Sequence, residues 1–152
     1  MKRWSKLKKK LSELMVEGLP LQHHCTEIRR NWNNDGALTT ELGVFCVRLE
    51  KRIIWEFPKQ FVTYSTSYPG GGNQYSYCVS DINGLIREYI DTAKNELLSH
   101  EFRRDYFGIC DILRASDRRL SIKRLEEYFT NEKRSFVNEI LASRKTITQH
   151  AG

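Results

Sequence analysis

The chain has 152 residues, of which 39% are hydrophobic and 29% charged, and carries a net charge of +6. That length fits one domain and leaves little room for a second core; the apolar content is too high for a wholly disordered chain, and a chain of this size needs neither disulfide nor metal to fold. No apolar run approaches the roughly 18 residues that cross a bilayer, and the charged start lacks the apolar stretch of a secretory signal, so a cytoplasmic protein with no integral membrane association is expected.

Trp4, Leu7, Leu11 and Leu14 recur at intervals of three and four, with Met15 on the same side, and predict an amphipathic helix that ends at Gly18 and Pro20. Lys2, Lys6, Lys9 and Lys10 project from its opposite side. The excess charge resides here: Lys2, Arg3, Lys6, Lys8, Lys9 and Lys10 precede Ser12 with no acid among them, while the rest of the chain holds 19 basic and 19 acidic side chains.

From Leu21 to Arg30 the pattern alternates and predicts a first strand. Asn33, Asn34, Asp35 and Gly36 mark a turn. A second strand follows over 43–49, with Phe45, Val47 and Leu49 on one side. Glu50 and Lys51 make a tight connection to a third strand, 52–57, where Ile53, Trp55 and Phe57 are expected to share a face. Three strands joined this way form an antiparallel meander. Beyond Pro58 the segment holding Tyr64, Tyr68, Pro69, Gly70, Gly71, Gly72, Tyr75 and Tyr77 reads as loop-like or weakly extended, with a fourth strand as an option near Tyr75 to Val79.

The second half reads as helical. Ile82, Leu85, Ile86, Tyr89 and Ile90 form an apolar stripe behind a cap at Ser80 or Asp81. A further helix is expected over 105–115 on Ile109, Ile112 and Leu113. Ser121 caps the next, with Leu120 and Leu125 placed for a hydrophobic staple. The last is expected over 131–144 on Phe136, Val137, Ile140 and Leu141. The fold class is therefore α+β: an N-terminal amphipathic helix, a three- or four-stranded antiparallel sheet and C-terminal helices. One domain spans 1–145, with a flexible tail from 146 to 152.

No catalytic, cofactor or metal site emerges. Cys25, Cys46, Cys78 and Cys110 form no C-x-x-C pair and read as reduced thiols, Cys46 and Cys110 as buried apolar residues. His24 and Cys25 are neighbours along a strand and so point to opposite faces, while His23 and Cys25 share a face but lack further ligands. The glycine run lacks the lysine and hydroxyl of a phosphate loop. Three candidate surfaces remain: the lysines Lys2, Lys6, Lys9 and Lys10; a second basic cluster of Arg114, Arg118, Arg119, Lys123 and Arg124; and the tyrosines Tyr64, Tyr68, Tyr75 and Tyr77. The second cluster is interleaved with Asp111, Asp117, Glu126 and Glu127, which favours internal ion pairs over a helix-turn-helix contact with DNA.

Trp4-Ser5-Lys6-Leu7, His24-Cys25-Thr26, Ile54-Trp55, Gly108, Asp111-Ile112-Leu113 and Asp117-Arg118-Arg119 together resemble a family of short bacterial proteins with no established activity. The resemblance implies a single bacterial domain and assigns no reaction. The order helix, three strands, helix is shared with double-stranded-RNA-binding domains, but Asp81, Ile82 and Asn83 stand where that family carries its basic motif. The leading expectation is a non-enzymatic binding or accessory protein with a protein partner, of which an immunity- or antitoxin-like protein is one version. The alternatives are sequence-tolerant nucleic-acid binding through the basic helix and, third, an enzyme using His24 or Cys25.

Overall fold

The stripe of Trp4, Leu7 and Leu11 has to be buried somewhere, and where it docks organises the first half of the chain. In the computed structural model, which describes residues 4–25, 29–32, 38–41, 45–56, 62–64, 73–75, 79–102, 105 and 108–151, helix α1 runs over Trp4–Leu14. Leu7 and Leu11 are fully buried. Trp4 packs edge-on against Phe45 of the sheet, with ring centroids 5.4 Å apart. Burying two leucines and part of a tryptophan contributes several kcal/mol, at roughly 1.5–3 kcal/mol for each large side chain.

The expected three-stranded antiparallel sheet is present, in the order β1 (Leu21–Cys25), β4 (Phe45–Leu49), β5 (Arg52–Glu56). Between β1 and β4 lies a second antiparallel ladder of β2 (Arg29–Trp32) and β3 (Leu38–Glu41). Leu21 pairs with Leu49 and Cys25 with Phe45, then Arg29 with Glu41 and Trp32 with Leu38, so both ladders keep one register. The turn expected at Asn33–Gly36 lies outside the described residues. Phe45, Val47 and Leu49 are buried as the alternation predicts, and Cys46 is buried as well, so central strand β4 is covered on both faces.

Strand β5 departs from its expected pattern. Val47 pairs with Trp55 but Arg48 pairs with Ile53, leaving Ile54 as an extra residue. This bulge reverses the alternation on one side of it. Trp55 is therefore buried while Ile53, expected on the same face, is 47% exposed; Phe57 lies outside the described residues. Where it is described, the tyrosine segment takes the extended form. Tyr64 and Tyr75 are strand residues, in β6 (Val62–Tyr64) and β7 (Asn73–Tyr75), which pair with each other and not with the main sheet. Of the optional strand near Tyr75 to Val79, Tyr75 ends β7 and Val79 opens a helix, and the residues between lie outside the described ones.

That helix, α2 (Val79–Asp91), buries Leu85, Ile86 and Tyr89. Ser80 and Asp81 lie in its first turn and not at its cap; small polar and acidic residues favour both places, so the signal stands two or three positions past the cap. A short 3-10 turn, Lys94–Glu96, leads to α3 (Ile109–Ser116). Asp105, expected inside α3, stays outside it, and its Oδ1 accepts a bond from Cys110 N at 3.1 Å. Gly108, at φ 83, turns the chain just ahead of the helix. Helix α4 (Ile122–Tyr128) is capped by Ser121, whose hydroxyl accepts from Arg124 N, and Leu120 and Leu125 are both fully buried. Helix α5 (Ser135–Ala151) starts later than expected because Asn131 takes a positive φ of 65. It also runs on through the segment expected to fray, where Ile147 still packs partly on the core.

The β4–β5 connection carries a local strain. Leu49 pairs with Arg52 across Glu50 and Lys51, which have φ 52 and 70. Positive φ at both central residues is the pattern of a type I′ turn, which asparagine and glycine adopt far more readily than glutamate and lysine. The double substitution Glu50→Asn, Lys51→Gly is expected to stabilise the fold by about 1 kcal/mol, read as a higher urea midpoint at unchanged slope.

Candidate functional site

Lys6, Lys8 and Lys9 are exposed on α1 and Lys10 is half-buried; Lys2 lies outside the described residues. At 100° per residue, Lys6, Lys9 and Lys10 gather on one flank of the helix and Lys8 on the other. None of these four makes an ion pair with a described residue. Glu13 and Glu17, both exposed, temper the C-terminal end. There the carbonyl of Leu14 accepts a bond from Arg118 N at 2.8 Å, so the exposed Arg118 stands at the end of α1 despite its distance in sequence.

The structure divides the second basic cluster. Arg114 is 5% exposed. Its Nε donates to Leu97 O (2.9 Å), Nη2 to His100 O (3.0 Å) and Nη1 to Asp111 (2.8 Å), and its guanidinium lies over the rings of Phe102 and Tyr128. Arg119 donates through Nε and Nη2 to Asp117, a carboxylate 1% exposed that also accepts from the Tyr89 hydroxyl at 2.7 Å. Burial first, and then Asp117, push the Tyr89 pKa far above its ordinary value. Both arginines are thus consumed inside, whereas Arg118, Lys123 and Arg124 remain exposed.

Two arginines that the sequence did not single out complete the network. Arg134 spans Asp111 (2.6 Å) and Glu132 (2.7 Å), and its hydrogen bonds hold the Glu132 carboxyl down to about 2. Arg144 is 6% exposed and donates to the carbonyls of Ala115, Asp117 and Leu120 at 2.8–3.2 Å. Apart from Glu132, two residues from Arg134, these partners lie roughly 20–30 residues away, and only tertiary packing brings them together. Each guanidinium faces carboxylates or carbonyls already in place, with Arg144 Nε alone of these groups left without a partner among the described residues, which is the geometry of a structural brace.

The histidine and cysteine candidates do not converge. His24 is exposed and pairs with Cys46 across the sheet, on the face opposite Cys25, which is half-buried. His23, which shares the Cys25 face, is the buried one. Burial drives the Cys110 thiol pKa up, so it is a poor nucleophile. Among the described residues no three histidine, cysteine or acidic side chains gather as metal ligands, and no helix is long and apolar enough to cross a membrane. Tyr68, Tyr77 and the glycine run lie outside the described residues. Comparison with known proteins finds no matching family model, no curated relative and no similar solved structure.

The brace makes a sharp contrast between neighbours. Asp117→Asn is expected to cost about 3–5 kcal/mol, because it leaves the partly buried Arg119 uncompensated, while Arg118→Ala stays within about 0.5 kcal/mol. Urea unfolding of the two variants beside the wild-type chain measures the difference.

Proposed function

We propose that this chain is a non-enzymatic binding protein that engages an acidic protein partner through the outer face of α1. The observation that carries the reading is the sorting of positive charge. Arg114, Arg119, Arg134 and Arg144 are spent on internal carboxylates and carbonyls, while Lys6, Lys8 and Lys9 of α1 face water without an ion-pair partner among the described residues. Arg118 extends this face past the end of the helix. Large apolar side chains contribute little to the described surface, where Ile53 and Tyr128 are the exposed ones. A partner therefore binds mainly by charge complementarity, with a fast, salt-sensitive association.

An immunity- or antitoxin-like role is one form of this reading. The basic face fits an acidic target; it does not fit a nuclease, whose own substrate site is basic. The spacing of Lys6, Lys9 and Lys10 along one flank gives a second reading, contact with nucleic-acid phosphates, which needs no further residues because such contacts position without reading sequence.

One pair of measurements separates the two. A partner that co-purifies with the full chain should survive nuclease treatment, dissociate as salt is raised, and be lost from Lys6→Gln/Lys9→Gln/Lys10→Gln. Affinity for a labelled duplex that falls with salt, with a logarithmic slope of about 0.9 per lysine engaged, would favour the phosphate reading instead. If the triple variant changes neither measurement, α1 is not the recognition face.

A further inference from the structure

His23 stands at the middle of β1, opposite Val47, with Leu21 and Cys25 on its own face. It is 3% exposed, and its ring centroid is 6.3 Å from that of Phe45. Phe45 in turn contacts Trp4 of α1 and Trp55 of β5, so the imidazole belongs to the aromatic cluster on which α1 rests. Neither ring nitrogen has a hydrogen-bond partner among the described residues. A neutral imidazole carries one donor and one acceptor, and leaving both unmet in apolar surroundings costs stability that leucine or phenylalanine would not. Packing alone does not account for a histidine here; what distinguishes it from those residues is that it can take up a proton.

The groups around it decide what a proton would do. Helix α1 supplies the Lys8 ammonium. Strand β4 supplies Val47 and Phe45, strand β5 supplies Trp55, and β1 itself supplies the Cys25 thiol. Among the described residues no acid hydrogen-bonds the ring, so an imidazolium would be dry and beside a like charge. Among the described residues, the helix above it is tied by backbone bonds only at its far end, where Val16 N donates to Ser116 O at 2.9 Å and Leu14 O accepts from Arg118 N. The Trp4 end is held by side-chain packing.

We propose that His23 is a proton-sensitive latch under α1: protonating its ring releases the Trp4 end of the helix from the sheet while the C-terminal helices stay folded. Burial first, and then Lys8, hold the His23 pKa at about 4 while α1 is docked, against 6.5 for a hydrated ring. A depressed pKa means that docking is at full strength above pH 6.5 and weakens as pH falls towards 4, by about tenfold per pH unit and roughly 300-fold in all. Release uncovers the Trp4 and Leu7 stripe beside the lysines, turning a charged face into an amphipathic one. That last consequence rests on the reading of α1 as the recognition surface; the latch does not.

Amide and Trp4 indole NMR signals of the full chain, followed from about pH 7.5 to 3.5, test the latch without any partner. In the wild type, the α1 signals should move to solvent-exposed positions between pH 6.5 and 4 while those of α3 and α5 persist. His23→Phe should keep α1 docked throughout. Lys8→Gln, at an exposed position that does not threaten folding, should move release to lower pH, because removing the like charge narrows the gap between the docked and hydrated pKa values. The latch is wrong if α1 stays docked through the titration, if His23→Phe releases it at the wild-type pH, or if all signals vanish in one transition. None of these outcomes bears on partner capture, so the latch and the binding reading fail separately.

Discussion

Asp117 is the residue at which the five α-helices of the described residues meet, and the rest of the architecture follows from satisfying it. Its carboxylate is buried and takes bonds from Tyr89 on α2 and from Arg119. Its backbone forms a bridge with Met15 at the end of α1, donates to Arg114 O to close α3, and accepts from Leu120 N on the way into α4 and from Arg144 on α5. A buried charge is tolerated only when paired and hydrogen-bonded in good geometry. That requirement fixes where α2 and α5 can lie against the α3–α4 corner. Asp111 repeats the device one and a half turns earlier in α3, holding Arg114 on one side and Arg134 on the other.

The division of labour between the two kinds of cation follows from their chemistry. A planar guanidinium presents five donors in a fixed fork and is weakly hydrated, so it suits buried carbonyls and carboxylates; an ammonium is strongly hydrated and stays in water. Arg114, Arg119, Arg134 and Arg144 accordingly hold helices together, and Lys6, Lys8 and Lys9 face solvent. Gly108, Asp111, Asp117 and Arg119 all belong to or border this brace. A Cβ on Gly108 would come within 2.5 Å of the Arg134 guanidinium, so the glycine keeps that arginine in place. Residues of this kind mark a fold without naming an activity.

What could be read from the sequence was whatever is decided locally. The α1 stripe, the Ser121 cap with its Leu120 and Leu125 staple, and the two-residue β4–β5 connection each depend on residues within a few positions of one another. The bulge at Ile54 escaped because strict alternation assumes that no residue is inserted, and one insertion sends Ile53 to solvent. The interleaving of acids with Arg114 and Arg119 did point to internal pairing. It could not name the Arg134–Asp111 pair or the Arg144 contacts, which are chosen only once helices pack. On β1 the spacing placed His23 and Cys25 on one face; that the buried member is an imidazole without a described hydrogen-bond partner is a property of the packed sheet.

The bridge between Met15 and Asp117 also sets a timetable. The two residues are separated by roughly a hundred positions, so joining them closes a long loop whose entropy must be lost before the contact gives anything back. During synthesis α1 leaves the ribosome well before the corner that receives its end, and Arg144 later still. Until that stretch has emerged, the helix has strand partners for Trp4 but nothing to anchor Leu14 and Val16, and its apolar stripe is open to the wrong neighbours. The lysines on its other side act against such contacts, since like charges keep nascent copies apart while the chain waits to be completed.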